Sequence, residues 1–196
     1  KIEQARQVHQ LLPNTALHNL YGPTEASVDV LYKECSNPNL SQITLGQPIH
    51  NTAVYVLDEF LNPLPPYAIG ELYLSGVGLA KGYANLAALT EERFITNPFN
   101  ANNQAYDKLY KTGDLACQLP DGDFIYFGRN DFQIKIRGFR IELGEIEYVL
   151  QAYPEIKQCA VLATEYHGQM VLMGYYVSDN AIESERLTSH MAMSLP

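Results

Sequence analysis

The spacing of apolar residues changes at about residue 130, and that change bounds the fold. Between Thr52 and Phe127 the apolar residues gather into short runs. Examples are Ala53-Val54-Tyr55-Val56-Leu57, Gly70-Glu71-Leu72-Tyr73-Leu74-Ser75 and Phe124-Ile125-Tyr126-Phe127. Runs this short, bounded by turn formers, read as strands. Asn62-Pro63-Leu64-Pro65-Pro66 is a turn region, because proline cannot donate to a ladder. Asp121-Gly122-Asp123 signals a hairpin. Tyr110-Lys111-Thr112-Gly113-Asp114-Leu115-Ala116 reads as strand, turn, strand. Beyond residue 130, Phe132, Ile134 and Ile136 alternate with Gln133, Lys135 and Arg137, the period of a half-buried strand. Gly138 to Glu145 reads as a loop, residues 145–152 as a helix, 159–163 and 170–177 as strands joined through His167-Gly168, and 182–193 as a final helix.

Upstream, Ile2, Ala5, Val8 and Leu12 recur at helical spacing and Pro13 ends the pattern. Residues 16–20 and 28–32 read as strands around the polar loop Tyr21-Gly22-Pro23-Thr24-Glu25, and 35–47 as a loop. Residues 86–94 read as a helix with Thr90-Glu91-Glu92 on its wet side. The expected class is α+β, with a β-rich part over residues 1–130 and a small α+β unit over 131–196.

The chain has 196 residues and is 46% apolar, enough for a buried core. Thirteen Lys and Arg stand against twenty-two Asp and Glu, a net charge of −9. That balance disfavours general nucleic-acid binding, which needs a basic footprint. No run approaches the ~20 apolar residues of a membrane helix. No apolar leader follows Lys1, and the absent initial Met suggests a chain cut from a longer one. Cys35, Cys117 and Cys159 are far apart, so neither a zinc ribbon nor a disulfide scaffold is indicated, and a reducing cytoplasm is the simplest compartment.

Five short constellations could carry chemistry. In Tyr21-Gly22-Pro23-Thr24-Glu25 a tyrosine face could stack on a flat heterocycle. Its glutamate could hold Mg²⁺ through oxygen. On local grounds alone the same residues also make a simple turn. Thr112-Gly113-Asp114 places a carboxylate where it could accept from a vicinal diol, or cap its own backbone. In Gly128-Arg129-Asn130-Asp131 a guanidinium suits phosphate or ribose oxygens, or a surface ion pair. Gly76-Val77-Gly78-Leu79-Ala80-Lys81-Gly82 lacks the hydroxyl residue a phosphate loop needs after its lysine, and reads as a glycine-rich turn. Gly138 to Glu145 packs charge and glycine before a helix, whose dipole Glu145 and Glu147 favour. The five histidines are scattered without ligand spacing.

The order and content of these segments say more than any one of them. Asn19-Leu20-Tyr21-Gly22-Pro23-Thr24-Glu25, Gly70 to Gly76, Tyr110 to Leu115, and the run from Gly128-Arg129-Asn130-Asp131 through Gly144-Glu145-Ile146-Glu147 closely resemble the adenylation domains of nonribosomal peptide synthetases. The resemblance covers essentially the whole chain. It implies the β-rich end of a large N-terminal adenylation domain over 1–130, then a hinge and a small C-terminal α+β domain. It also implies an enzyme that joins an amino acid to ATP, holds the aminoacyl-AMP, and passes the acyl group to the phosphopantetheine thiol of a carrier protein in a multidomain synthetase.

Carried over residue by residue, the resemblance implies that Tyr21 stacks on adenine and Thr24 lies near the phosphates. Glu25 binds Mg²⁺ and Asp114 grips the ribose. Tyr126 lines the nucleotide site, and Arg129 contacts ribose or phosphate. Asp131 is the hinge, the loop around Gly138 faces the thiol, and Lys135 approaches in the second half-reaction. Leu20, Val28 and Asp29 fall at positions that line the amino-acid pocket, and the trio resembles serine-activating domains. The family's phosphate loop lies farther upstream than the twenty residues preceding Tyr21 allow, and its catalytic lysine follows a Leu-Pro pair like the terminal Leu195-Pro196. The expectation is a fragment that does not adenylate by itself. The alternatives are another adenylate-forming acyl ligase and a non-catalytic module that binds a nucleotide or a carrier protein.

Overall fold

The computed structural model describes residues 2–37, 40–100, 103–130, 133–136, 139–167 and 169–195. It divides into two units, Lys1–Asn130 and Asp131–Pro196, and is an α+β protein rich in strands.

In the first unit, α1 (Ile2–Leu11) stops before Pro13 and buries Ala5. β1 (His18–Tyr21), β2 (Leu31–Glu34) and β3 (Gln47–Pro48) form an antiparallel sheet in that order, with Tyr21 opposite Leu31. The second strand starts three residues later than the apolar run suggests. Ser27 and Val28 have φ of 58° and 78°, which interrupts extended backbone.

The larger sheet contains β4 (Thr52–Leu57), β5 (Gly70–Gly76), β6 (Phe94–Thr96), β7 (Lys108–Gln118) and β8 (Phe124–Arg129). β7 is its spine. β5 pairs along one edge of it, while β6 and then β8 share the other. The expected strand-turn-strand over 110–116 is therefore one continuous strand. Gly113, at φ 75°, makes a bulge instead of a turn, because partners on both edges hold the strand extended on either side of it. Leu72, Leu74, Tyr110 and Phe124 are fully buried in the core. Asp123, just before β8, ties the two sheets together. It accepts from Thr44 Oγ1 at 2.7 Å and pairs with Lys33 Nζ at 2.6 Å.

The second unit begins with the antiparallel hairpin of β9 (Gln133–Ile136) and β10 (Phe139–Glu142). Within the loop expected over 138–145, Phe139–Glu142 are thus a strand and Leu143 opens a helix. Ile141 lies opposite Ile134, and both pack on the apolar cluster of this unit. α3 (Leu143–Gln151), β11 (Gln158–Tyr166), β12 (Gln169–Val177) and α4 (Ser184–Ala192) follow. Leu143, Leu150, Tyr153, Ile156, Val161, Ile182 and Leu187 form its core. No described helix in either unit is long and apolar enough to cross a membrane.

Candidate functional site

The bulge in β7 builds the centre of the site. Between the pairs Glu71–Leu115 and Tyr73–Lys111, the single residue Leu72 faces Thr112, Gly113 and Asp114. Thr112 Oγ1 donates to the Leu72 carbonyl at 2.6 Å and accepts from the Asp114 amide at 3.0 Å. Asp114, 7% exposed, stands directly across from Arg129 on β8. Arg129 Nη1 donates to Asp114 Oδ1 at 2.8 Å, and the Tyr21 hydroxyl donates to Asp114 Oδ2. Tyr21 and Arg129, 93 positions before and 15 after Asp114, thus share its carboxylate.

Electrostatics hold the tyrosine of this cluster in its neutral form. Burial, with the adjacent Asp114 carboxylate, pushes the Tyr21 phenol far above the ordinary tyrosine range. Tyr21 therefore remains a neutral donor. An ionised carboxylate offers roughly four acceptor sites. With one bond from Tyr21 and one from Arg129, Asp114 keeps acceptor capacity for a further hydroxyl pair. Tyr126, on β8, is 45% exposed and near enough to Tyr21 to oppose its ionisation.

The second part of the site grows from the turn after β1. Thr24–Ala26 form a short 3₁₀ turn that buries Glu25 to 7% exposure and leaves Thr24 exposed. Tyr83 Oη donates to Glu25 Oε1 at 2.8 Å. Burial raises the Tyr83 phenol, and hydrogen bonds with Tyr110 and Glu25 raise it further. Among the described residues no group of three His, Cys, Asp or Glu could hold a metal by itself. A single buried carboxylate nevertheless fits Mg²⁺, which commonly takes one protein carboxylate and completes its octahedron with water and substrate phosphates.

Tyr83 was not singled out by its sequence surroundings, and neither was its support. The glycine-rich stretch before it is a turn, as its residue order indicates, and it clasps the back of the Glu25 segment. The Ala80 amide donates to the Glu25 carbonyl at 2.8 Å, and Ser27 Oγ donates to the Gly78 carbonyl at 2.7 Å. In α2 (Ala87–Arg93), Thr90 is half-buried where a wet face was expected. Its hydroxyl accepts from the Tyr83 amide at 2.9 Å, which fixes the tyrosine backbone. The only sequence signal was a tyrosine directly after a glycine turn.

The three expected pocket residues lie on one folded segment. Leu20, on β1, is 52% exposed, and Val28 is 66% exposed. Val28 and Asp29 fold back on Gly22, where any side chain would strike the Val28 carbonyl. Lys135 lies on β9, with its backbone opposite Arg140. Asp131 and Gly138, expected as hinge and thiol-facing loop, fall outside the described residues.

Known proteins resemble this chain in part or throughout. The family "AMP-binding enzyme" matches residues 1–84, which include the Tyr21–Glu25 turn and Tyr83. Malpinin synthetase of Mortierella alpina is 44% identical over 191 residues, covering 92% of this chain and 2% of that protein. Tyrocidine synthase 3 of Brevibacillus parabrevis is 42% identical over 188 residues, covering 95% of this chain and 3% of that one. The solved structure of an NRPS protein containing adenylation and PCP domains superposes with a TM-score of 0.82 at 30% identity, over 97% of this chain and 38% of its own. The chain belongs to the adenylation domains of nonribosomal peptide synthetases. An artificially fused adenylation–PCP di-domain from Klebsiella oxytoca gives a TM-score of 0.77 at 29% identity, over 95% of this chain and 35% of its own. Relative to these adenylation domains, the chain spans a small share of the synthetases and little more than a third of the solved proteins.

Proposed function

We propose that the protein containing this chain activates an amino acid with ATP, releases pyrophosphate, and transfers the acyl group from aminoacyl-AMP to the phosphopantetheine thiol of a carrier protein. The observation that carries this proposal is the Tyr21–Asp114–Arg129 cluster. Its carboxylate is buried, oriented from two sides, and retains acceptor capacity suited to ribose hydroxyls. The Tyr21 ring stacks on adenine, and Tyr126 lines the same nucleotide site. Arg129 stabilises ribose or phosphate oxygens beside Asp114.

Joining a carboxylate to an α-phosphate needs neutralised charge and in-line placement more than a covalent protein group. Glu25 holds Mg²⁺ in this proposal, and the ion supplies charge neutralisation at the phosphates. Tyr83 orients the Glu25 carboxylate. Thr24, exposed at the head of the 3₁₀ turn, meets the phosphates. The ribose and adenine contacts set the geometry of attack.

The small unit takes part in the second half-reaction. Asp131 serves as its hinge, the Gly138 loop faces the thiol, and Lys135 approaches the nucleotide then. Leu20, Val28 and Asp29 line the amino-acid pocket, where the Asp29 carboxylate accepts from the hydroxyl of serine. A pocket built on such a bond discriminates strongly against analogues lacking the hydroxyl.

Amino-acid-dependent ATP–pyrophosphate exchange tests this function. It is run on this chain beside a longer stretch of its parent protein. The longer protein should exchange, with serine the best substrate, and Asp114→Ala should raise the ATP requirement steeply. A preference for a bulky apolar amino acid overturns the serine assignment. Exchange with no amino acid at all favours a ligase for another acid. An ATP requirement untouched by Asp114→Ala removes the ribose role.

A further inference from the structure

The bulge that aims Asp114 is held by a residue with no part in the roles above. Glu71, on β5, lies beside it. Glu71 Oε1 accepts from the Gly113 amide at 3.1 Å, and Glu71 Oε2 accepts from Asn130 Nδ2 at 3.3 Å. Tyr73 Oη donates to the same Oε2 at 3.4 Å. The Asn130 amide closes the loop by donating to the Gly113 carbonyl at 2.9 Å. Both polar groups of the Gly113 peptide position are therefore occupied, one by Glu71 and one by Asn130, and Glu71 also holds the Asn130 side chain.

Gly113 carries a left-handed φ of 75° inside an extended strand. Such a conformation persists only where the surroundings over-determine it. Its amide points out of the β5 ladder, since the register skips from Glu71 to Tyr73, so a side chain must satisfy it. Asp114 is the next residue, and Asn130 is next to Arg129. One carboxylate thus fixes the backbone beside both members of the Asp114–Arg129 pair.

We infer that Glu71 is a positioning residue for Asp114, acting through the Gly113 amide and Asn130, and so sets the geometry of the carboxylate that receives the Tyr21 hydroxyl. Its link to nucleotide rests on the function proposed above. The positioning itself concerns only residues of this chain.

The test uses the full 196-residue chain without ligand. Tyrosines are labelled at Cζ with ¹³C, and the Tyr21 signal is assigned by its loss in Tyr21→Phe. Amide hydrogen exchange is followed at Gly113. Glu71→Ala should speed exchange at Gly113 at least about tenfold and move the Tyr21 signal, since a donor's Cζ reports its acceptor's placement. Glu71→Gln keeps one acceptor oxygen for the Gly113 amide but puts a donor where Oε2 accepts from Asn130, so it should restore Gly113 protection. Glu71→Asp keeps the charge but shortens the arm, and should behave like Glu71→Ala. It carries the test if Glu71→Ala does not fold.

A Tyr21 signal that stays put in Glu71→Ala or Glu71→Asp while Gly113 loses protection overturns the inference, because Glu71 would then hold only the bulge. Unchanged Gly113 protection overturns it too. So does failure of Glu71→Gln to restore Gly113 protection. The nucleotide role of Asp114 fails separately, through the exchange assay with Asp114→Ala, and leaves these readouts unaffected.

Discussion

The two units handle polarity in opposite ways. Among the described residues, the first unit buries Glu25, Thr44, Ser75, Asn97, Thr112, Asp114 and Asp123, each at most 8% exposed. Among its own described residues the second buries one polar side chain, Gln133, and is held by its aliphatic and aromatic cluster. The ion pair Lys157–Asp179 in the second unit sits with side chains 58% and 75% exposed. The corresponding figures for Arg129 and Asp114 in the first are 12% and 10%. Burying a polar group is costly unless every partner is in place. The first unit bears that cost where it orients side chains for chemistry, and the second carries the Lys157–Asp179 and Arg186–Glu155 pairs at its surface.

This contrast makes graded predictions. The largest effect belongs to Asp114→Ala. Arg129 loses its carboxylate in a nearly dry setting, which costs about 3–5 kcal/mol for a buried pair. Urea unfolding of the first unit should show it, and a loss below about 1 kcal/mol would mean the pair is effectively solvated. Next is Leu150→Ala, which opens a cavity in the apolar core of the second unit at about 3 kcal/mol. It should lower the unfolding midpoint of that unit while leaving the Tyr21 signal and Gly113 protection in place.

Asp123 gives a pH signature. Burial alone would raise its carboxyl, but hydrogen bonds from Lys33 and Thr44 outweigh burial and hold it below the ordinary carboxylate range. Its contribution to stability is therefore complete above that range and is lost as pH falls through the lowered value. Lys33 is raised, chiefly by its bond to Asp123, and its contribution is lost only in strong alkali as pH rises through the raised value. Asp123→Asn should flatten the acid limb of the stability–pH profile. An unchanged limb would assign acid sensitivity to other carboxylates. The smallest effect is expected from Lys157→Ala, below about 0.5 kcal/mol for so exposed a pair. A cost equal to that of Asp114→Ala would break the contrast between the units.

Much of the secondary structure could be read along the chain. α1 ends before Pro13, the Asp121-Gly122 turn precedes β8, and β11 and β12 meet through His167, all as the local signals indicate. The misreadings share a cause. Thr112-Gly113-Asp114 looks like a turn because glycine between polar residues usually is one, yet strands on both edges carry it through as a bulge. Phe139 to Glu142 looks like loop because of its charge, yet its alternation matches β9. Thr90 looks solvent-facing by helical period, yet it serves the Tyr83 backbone.

The candidate site divides along the same line. Tyr21, Glu25, Asp114 and Arg129 were conspicuous because each sits in a short, chemically dense segment. Tyr83 and Glu71 were not, because their importance lies in what they reach across 58 and 42 positions of sequence. By itself the sequence determined the family, the element types with strong local periodicity, and the side chains able to do chemistry, since those depend on residue type and near neighbours. Only the tertiary structure decided where the Asp114 carboxylate points, which tyrosine steadies Glu25 and which glutamate steadies the bulge. Hydrogen bonds between distant strands set those orientations, and no local propensity encodes the partner at the far end of a long-range bond.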